Sequence, residues 1–118
     1  MKTLKQFDHG DPSKVVSIVE VEEPKPKDDE IIIKMEAAAV HLADIKRFRG
    51  DYGFEAKKLP LVPGYEGVGR VWSVGSLVKD FKKGDRVFPW WGNGTFAEKV
   101  TAKANLSIPA PEGDPSQL

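Results

Sequence analysis

The sequence predicts a mainly β domain, a partly open β-barrel with one or two short helices. Three observations predict it. Eleven Gly and nine Pro divide 118 residues into short apolar runs. Several of these runs are β-branched and partly alternating, as half-buried strands are. One stretch alone carries helical spacing. The length suits one domain with a modest core over residues 1–118.

The elements follow in order. Leu4 to Phe7 reads as an opening strand, and Asp8-His9-Gly10-Asp11-Pro12 as a turn cluster. Val15 to Glu22 is the second strand. Glu23 to Asp29, with Pro24 and Pro26, is a polar connection. Glu30-Ile31-Ile32-Ile33-Lys34-Met35-Glu36 is the strongest strand signal. It runs on through Ala37-Ala38-Ala39-Val40, where small side chains imply close packing. From His41 to Gly50 the pattern changes: Leu42, Ile45 and Phe48 recur every third residue and Gly50 follows, which predicts a short helix with a glycine stop. Residues 51–63 read as a loop. Val68 to Val74, Val87 after the tight turn at Lys82 to Arg86, Thr95 to Val100, and Leu106 to Pro109 supply the remaining strands, with a turn at Gly92-Asn93-Gly94. The tail from Pro111 to Leu118 is polar and turn-rich.

Composition excludes several classes of function. Eighteen basic side chains balance eighteen acidic ones. Neither a nucleic-acid backbone nor an anionic membrane would be attracted overall. Without Cys there is no disulfide, thiol catalysis or Cys-ligated zinc, and His9 and His41 are too few for a multi-His metal site. No apolar run is long enough to span a bilayer, and the N-terminus lacks an apolar signal core, so a cytoplasmic location is the default expectation.

The candidate functional residues gather around two segments. Gly64-Tyr65-Glu66-Gly67-Val68-Gly69 imitates a dinucleotide fingerprint. It lacks the preceding strand, the following helix and the third glycine, whose place Trp72 takes. Its glycines therefore serve sharp turns and close approach. Glu66 either pairs with an Arg or lines a reaction cleft, since a carboxylate among Gly67, Val68 and Gly69 needs a partner. His41, at the strand-to-helix transition, either starts the helix or faces a ligand. Lys46, Arg47 and Arg49 form a basic face that is solvated or meets an anion. Tyr52 could donate a proton, or a hydrogen bond to a carbonyl oxygen as charge develops on it. Trp90-Trp91 is either end-of-barrel packing or the wall of an apolar pocket.

The order of these pieces resembles the N-terminal, GroES-like catalytic domain of the medium-chain dehydrogenase/reductase superfamily. Four segments carry the resemblance: Ala39 to Ile45 with Gly50-Asp51-Tyr52; Pro63 to Gly69; Val74-Gly75-Ser76 with Phe81 to Val87; and Gly94 to Glu98 with Ile108-Pro109. Zinc alcohol dehydrogenases of this superfamily carry a Cys where His41 stands and a His where Tyr65 stands. The four-Cys structural zinc lobe has no counterpart either. The resemblance is thus to the zinc-independent branch of quinone oxidoreductases and 2-enoyl thioester reductases, and no zinc is expected. Of that branch's Asn-Pro-x-Asp motif only Asp44 is matched, with His41 in place of the Asn; Gly50-Asp51-Tyr52 matches its Gly-x-Tyr.

The resemblance implies an NAD(P)H-dependent reductase of an activated C=C bond or a quinone, with NADPH as the cofactor. It implies Tyr52 as proton donor or enolate stabiliser and His41 as a catalytic polar wall that also touches the cofactor. Tyr65, Glu66, Trp90 and Trp91 would shape the substrate pocket. It also implies a C-terminal Rossmann domain, absent from residues 1–118, that binds most of the cofactor and supports a homodimer. An isolated domain would be inactive. A non-enzymatic, crystallin-like or partner-binding member of the superfamily is the alternative. A true co-chaperonin is disfavoured, because the chain has no long apolar loop.

Overall fold

The computed structural model describes residues 1–51, 53, 58–90 and 94–118. Among them the order is β1 (Lys2–Gln6), α1 (Pro12–Val15), β2 (Val16–Glu20), β3 (Glu30–Ala39), α2 (Leu42–Arg49), β4 (Glu66–Val74), β5 (Arg86–Phe88), β6 (Lys99–Lys103) and β7 (Ile108–Pro109), with 3₁₀ turns at Ala104–Leu106 and Pro115–Gln117. The expected mainly β architecture holds, with two α-helices. β1 and β2 form an antiparallel pair, and the other five strands form one sheet in the order β6-β3-β4-β5-β7. Among the described residues the sheets stay open and close no complete barrel.

The core explains the shape of the sequence signals. Ile31, Ile33, Val71, Phe81, Val87, Val100 and Ala102 form one buried cluster between β3, β4, β5 and β6. Ile32, pointing the other way, is fully buried too. β3 is therefore covered on both faces at its centre, which is why its run is continuously apolar instead of alternating.

Two bulges interrupt the β3–β4 ladder. Ile32 and Ile33 pair with Ser73 and Val71, leaving Trp72 as the extra residue; Met35 and Ala37 pair with Gly69 and Val68, leaving Glu36. A bulge re-aims a side chain. Trp72 points outward, where the ammonium groups of Lys34, Lys83 and Lys99 lie 5.4, 4.6 and 4.3 Å from its ring centre. Glu36 reaches the buried Arg86 at 3.0 Å, and Arg86 also donates to the carbonyls of Pro111 and Gly113. Arg70 holds Glu112 at 2.6 Å. The polar tail is thus fastened across the sheet by two arginines.

Three expectations shift. The turn cluster at 8–12 continues into α1, which takes Val15 out of the second strand. Asp11 accepts the Ser13 N–H at 3.0 Å, and Pro12 sits in the first turn, so Asp-Pro-Ser acts as a helix start. The strand expected at Thr95 to Val100 is offset to Lys99–Lys103. Its first half makes only an isolated bridge, Ala97 opposite Thr3, and bonds elsewhere: Leu4 N–H donates to Phe96 O at 2.9 Å, and Phe96 N–H to Pro63 O at 3.1 Å. Only the last two residues of the expected strand at Leu106 to Pro109 pair, because Ala104–Leu106 makes a 3₁₀ turn first. The helix after β3 forms as expected. Gly50 ends it in the left-handed conformation, φ 72°, with its N–H returned to Arg47 O at 3.1 Å.

Antiparallel pairing brings four chain segments to one end of the large sheet. Ala39 lies opposite Glu66, and Phe88 lies opposite Ile108. The end of β3, the start of β4, the end of β5 and β7 therefore meet there.

Candidate functional site

At that end lies a cavity of about 550 Å³. Its walls include Ala37, Ala38 and Ala39 from β3, Val68 from β4, Phe88 and Trp90 at and beyond the end of β5, Ile108 from β7, and Leu118. The three alanines matter by their size, since larger side chains at the strand end would fill the space. The volume suits a small organic ligand. Within this apolar lining Glu66 is the single ionisable side chain among the described residues, and Ser116 supplies a hydroxyl.

Glu66 is held from outside the cavity. Its Oε2 lies 2.8 Å from Nε2 of His41, so the residue starting β4 is joined to the residue preceding α2. The side chains of His41 and Glu66 are 37% and 51% exposed. Such an exposed contact contributes little stability, and its importance is orientation. His41 is anchored in turn by Asp44, whose Oδ2 accepts the His41 backbone N–H at 2.8 Å. This is the Asp44 half of a capping box, which satisfies one of the donors a helix start leaves open. Asp44 is fully buried, and its Oδ1 has no hydrogen-bond partner among the described residues. Burial raises its carboxyl above the usual range, although the bond from His41 N–H and the nearby charges of His41 and Arg47 oppose the shift.

The structure brings some of the expected residues together. Glu66 and Trp90 line the cavity, and His41 abuts it through Glu66. The partner of Glu66 is thus His41, not an arginine. Tyr65 is buried at 7% exposure beneath Arg47, whose guanidinium lies 4.3 Å from the ring centre, and it is not among the cavity's lining residues. That stacking also takes Arg47 out of the simple solvated face expected for α2. Tyr52 and Trp91 lie outside the described residues. The alanine run, Val68, Phe88 and Ile108 were not singled out as site residues. The one signal for them was the unusual Ala37-Ala38-Ala39 at the end of a strand.

Residues 27–112 match the alcohol dehydrogenase GroES-like domain family. The chain belongs to this family. It is 36% identical over 116 residues to the mitochondrial enoyl-[acyl-carrier-protein] reductase of Rattus norvegicus, covering 92% of this chain and 31% of that protein. Among solved structures it is similar to a putative NADPH:quinone reductase from Bacillus thuringiensis, with a TM-score of 0.86 and 32% identity over 96% of this chain and 34% of that one. It also resembles the Escherichia coli quinone oxidoreductase complexed with NADPH, with a TM-score of 0.84 and 28% identity, covering 94% of this chain and 33% of the other. The GroES-like domain thus spans about a third of the relatives it matches. No helix among its described residues is long and apolar enough to cross a membrane.

The donor set does not fit the catalytic zinc of alcohol dehydrogenases. The chain has no Cys, and no three His, Cys, Asp or Glu side chains converge among the described residues. NADPH fits only in part. The glycine-rich segment at Gly64 leads into strand β4 instead of a helix, so these residues form no pyrophosphate cradle. The cavity could receive a flat, uncharged ring such as nicotinamide.

Proposed function

We propose that the domain is the substrate-side unit of a zinc-independent, NADPH-dependent reductase acting on an activated C=C bond or a quinone. One observation carries this reading: an apolar cavity whose single ionisable side chain among the described residues is Glu66, in a chain without Cys that is similar to enoyl reductases and quinone oxidoreductases over most of its length. NADPH, when bound, supplies a hydride to the electron-poor carbon. A Rossmann domain beyond these residues would hold most of the cofactor.

The chain's own residues then have the following tasks. Apolar walls at Ala37 to Ala39, Val68 and Phe88 orient the acceptor and exclude water from it. Trp90 flanks it. Tyr52 follows α2 in the sequence and gives a proton to, or hydrogen-bonds, the oxygen on which negative charge develops. His41 fixes the polar edge of the cavity beside the cofactor's reactive ring, and Tyr65 supports that edge from beneath Arg47. The test is NADPH oxidation with 1,4-naphthoquinone and with a short 2-enoyl thioester. The 118-residue chain is compared with the same chain fused to the nucleotide-binding domain of a quinone oxidoreductase. Turnover is expected only in the fusion, and Tyr52→Phe should lower it at least about tenfold, because a positioned acid contributes about 10² or more. Steady turnover by the isolated chain would overturn the division of labour. A fusion that binds NADPH and reduces neither acceptor would overturn the reaction.

A further inference from the structure

We propose that Trp72 and the lysines around it, Lys34, Lys83 and Lys99, form a docking surface for an acidic segment of a partner protein, one whose carboxylates flank an apolar side chain. This does not depend on the reading of the cavity. Trp72 lines neither the cavity at the end of the sheet nor the smaller hollow beside Asp85 and Glu112. It lies six residues along β4 from Glu66, about 20 Å at the rise of a strand.

The patch is unfavourable for the domain by itself. A bulge makes Trp72 the extra residue of β4 and leaves a large apolar side chain 41% exposed. Lys34 on β3 and Lys99 on β6 are cross-strand partners, and like charges directly opposite destabilise a sheet. Lys83 joins them from the turn before β5. All three ammonium groups lie within 5.4 Å of the ring centre. Any two are therefore at most about 10 Å apart, the screening length at about 0.1 M salt. Glu23 answers one of them, 2.8 Å from Lys99 Nζ. Among the described residues neither Lys34 nor Lys83 forms an ion pair. Three ammonium groups and one carboxylate leave two positive charges around an exposed ring, in a chain whose charges balance overall. An acidic segment supplies the carboxylates that Lys34 and Lys83 lack, and its apolar side chain covers the indole. Tryptophan is a residue type enriched at the energetic centre of protein interfaces. A small anion on so open a surface would stay hydrated and gain little. An unbroken chain of phosphates would meet Glu23, whereas a peptide places its carboxylates singly.

The test titrates the peptide acetyl-Gly-Glu-Glu-Phe-Glu-Glu-Gly-amide into the ¹⁵N-labelled 118-residue chain and follows the Trp72 indole N–H and the backbone amides. Its counterpart with Gln for every Glu and a ten-residue oligothymidylate are run beside it. Saturable shifts with the acidic peptide should centre on Trp72, Lys34 and Lys99. The affinity should fall at least about tenfold between about 0.1 M and 1 M salt, as the screening length drops from about 10 to 3 Å. It should fall by a similar factor in the Lys34→Gln/Lys83→Gln double variant. The urea midpoint of that variant should not fall, because the substitutions relieve repulsion. A fallen midpoint with peptide affinity unchanged would make the lysines a packing layer on the ring and overturn the proposal. Equal binding of the Gln peptide would overturn the role of charge, and tighter binding of the oligothymidylate would reassign the face to nucleic acid. Shifts at Trp72 that grow with the concentration of the chain alone would reassign it to a second copy. No shift at millimolar acidic peptide would overturn the docking surface outright.

Discussion

Asp44 shows how one residue can defeat a pattern. In α2 the spacing of Leu42, Ile45 and Phe48 marks an apolar stripe, yet Leu42 is 69% exposed and Asp44 is fully buried. The helix was legible from its period and its glycine stop. Its inward face was not, because the side chain that holds His41 N–H must turn toward the helix start. Glu66 shows the same limit. Its need for a partner follows from its apolar neighbours, but its pairing with His41 depends on α2 and β4 meeting in space. Burial makes ionisation of Asp44 less favourable in the folded chain than in the unfolded one. Its contribution is therefore fully present below the unfolded value of 3.8 and is lost as pH rises through the higher folded value. Asp44→Asn, which keeps an acceptor for His41 N–H, should gain stability relative to the parent as pH rises from about 3 to 7. Urea midpoints of both proteins across that range check the sign.

At the level of elements, strands were easier to read than their ends. The triple isoleucine of β3 announced itself, whereas α1 was hidden in a segment whose Asp, Pro and Gly signal turns equally well. The offset of β6 arises because residues 94–97 are bonded to β1 and to the segment before β4, and the backbone joins β3 of the large sheet only from Glu98, whose carbonyl accepts from Met35 N–H at 2.9 Å. Gly64 is where that arrangement depends most on one residue. Its φ is +113°, and a Cβ would strike Thr95 Oγ1 and approach Thr95 N to 2.7 Å. Backbone cannot step aside as a flexible side chain can. Gly64→Ala should therefore lower stability by about 2–4 kcal/mol. At Gly84, where φ is +97° and a Cβ meets nothing within 4 Å, the same change should cost only about 1 kcal/mol. Denaturant unfolding of the two variants distinguishes clash from strain.

Across the whole molecule, the cavity exists because four segments distant in sequence reach one end of the sheet and the tail stays beside them. Arg86, with a side chain only 5% exposed, ties Glu36 on β3 to the carbonyls of Pro111 and Gly113. Arg86→Met leaves Glu36 and those carbonyls without their donor and should destabilise the fold by about 3 kcal/mol, as loss of one partner from a largely buried pair does. Thermal unfolding measures it. The order of motifs was enough to read the family and its mainly β architecture from the sequence. The cavity was not, because its walls are ordinary alanines, a valine and a phenylalanine whose role comes from convergence. The most direct test of this substrate-side site is to titrate 1,4-naphthoquinone into the ¹⁵N-labelled chain and follow its amide shifts. Saturable shifts should concentrate at Ala37 to Ala39, Glu66 to Val68, Phe88, Trp90 and Ile108. Shifts centred on Trp72 and its lysines, or none at millimolar quinone, would contradict it.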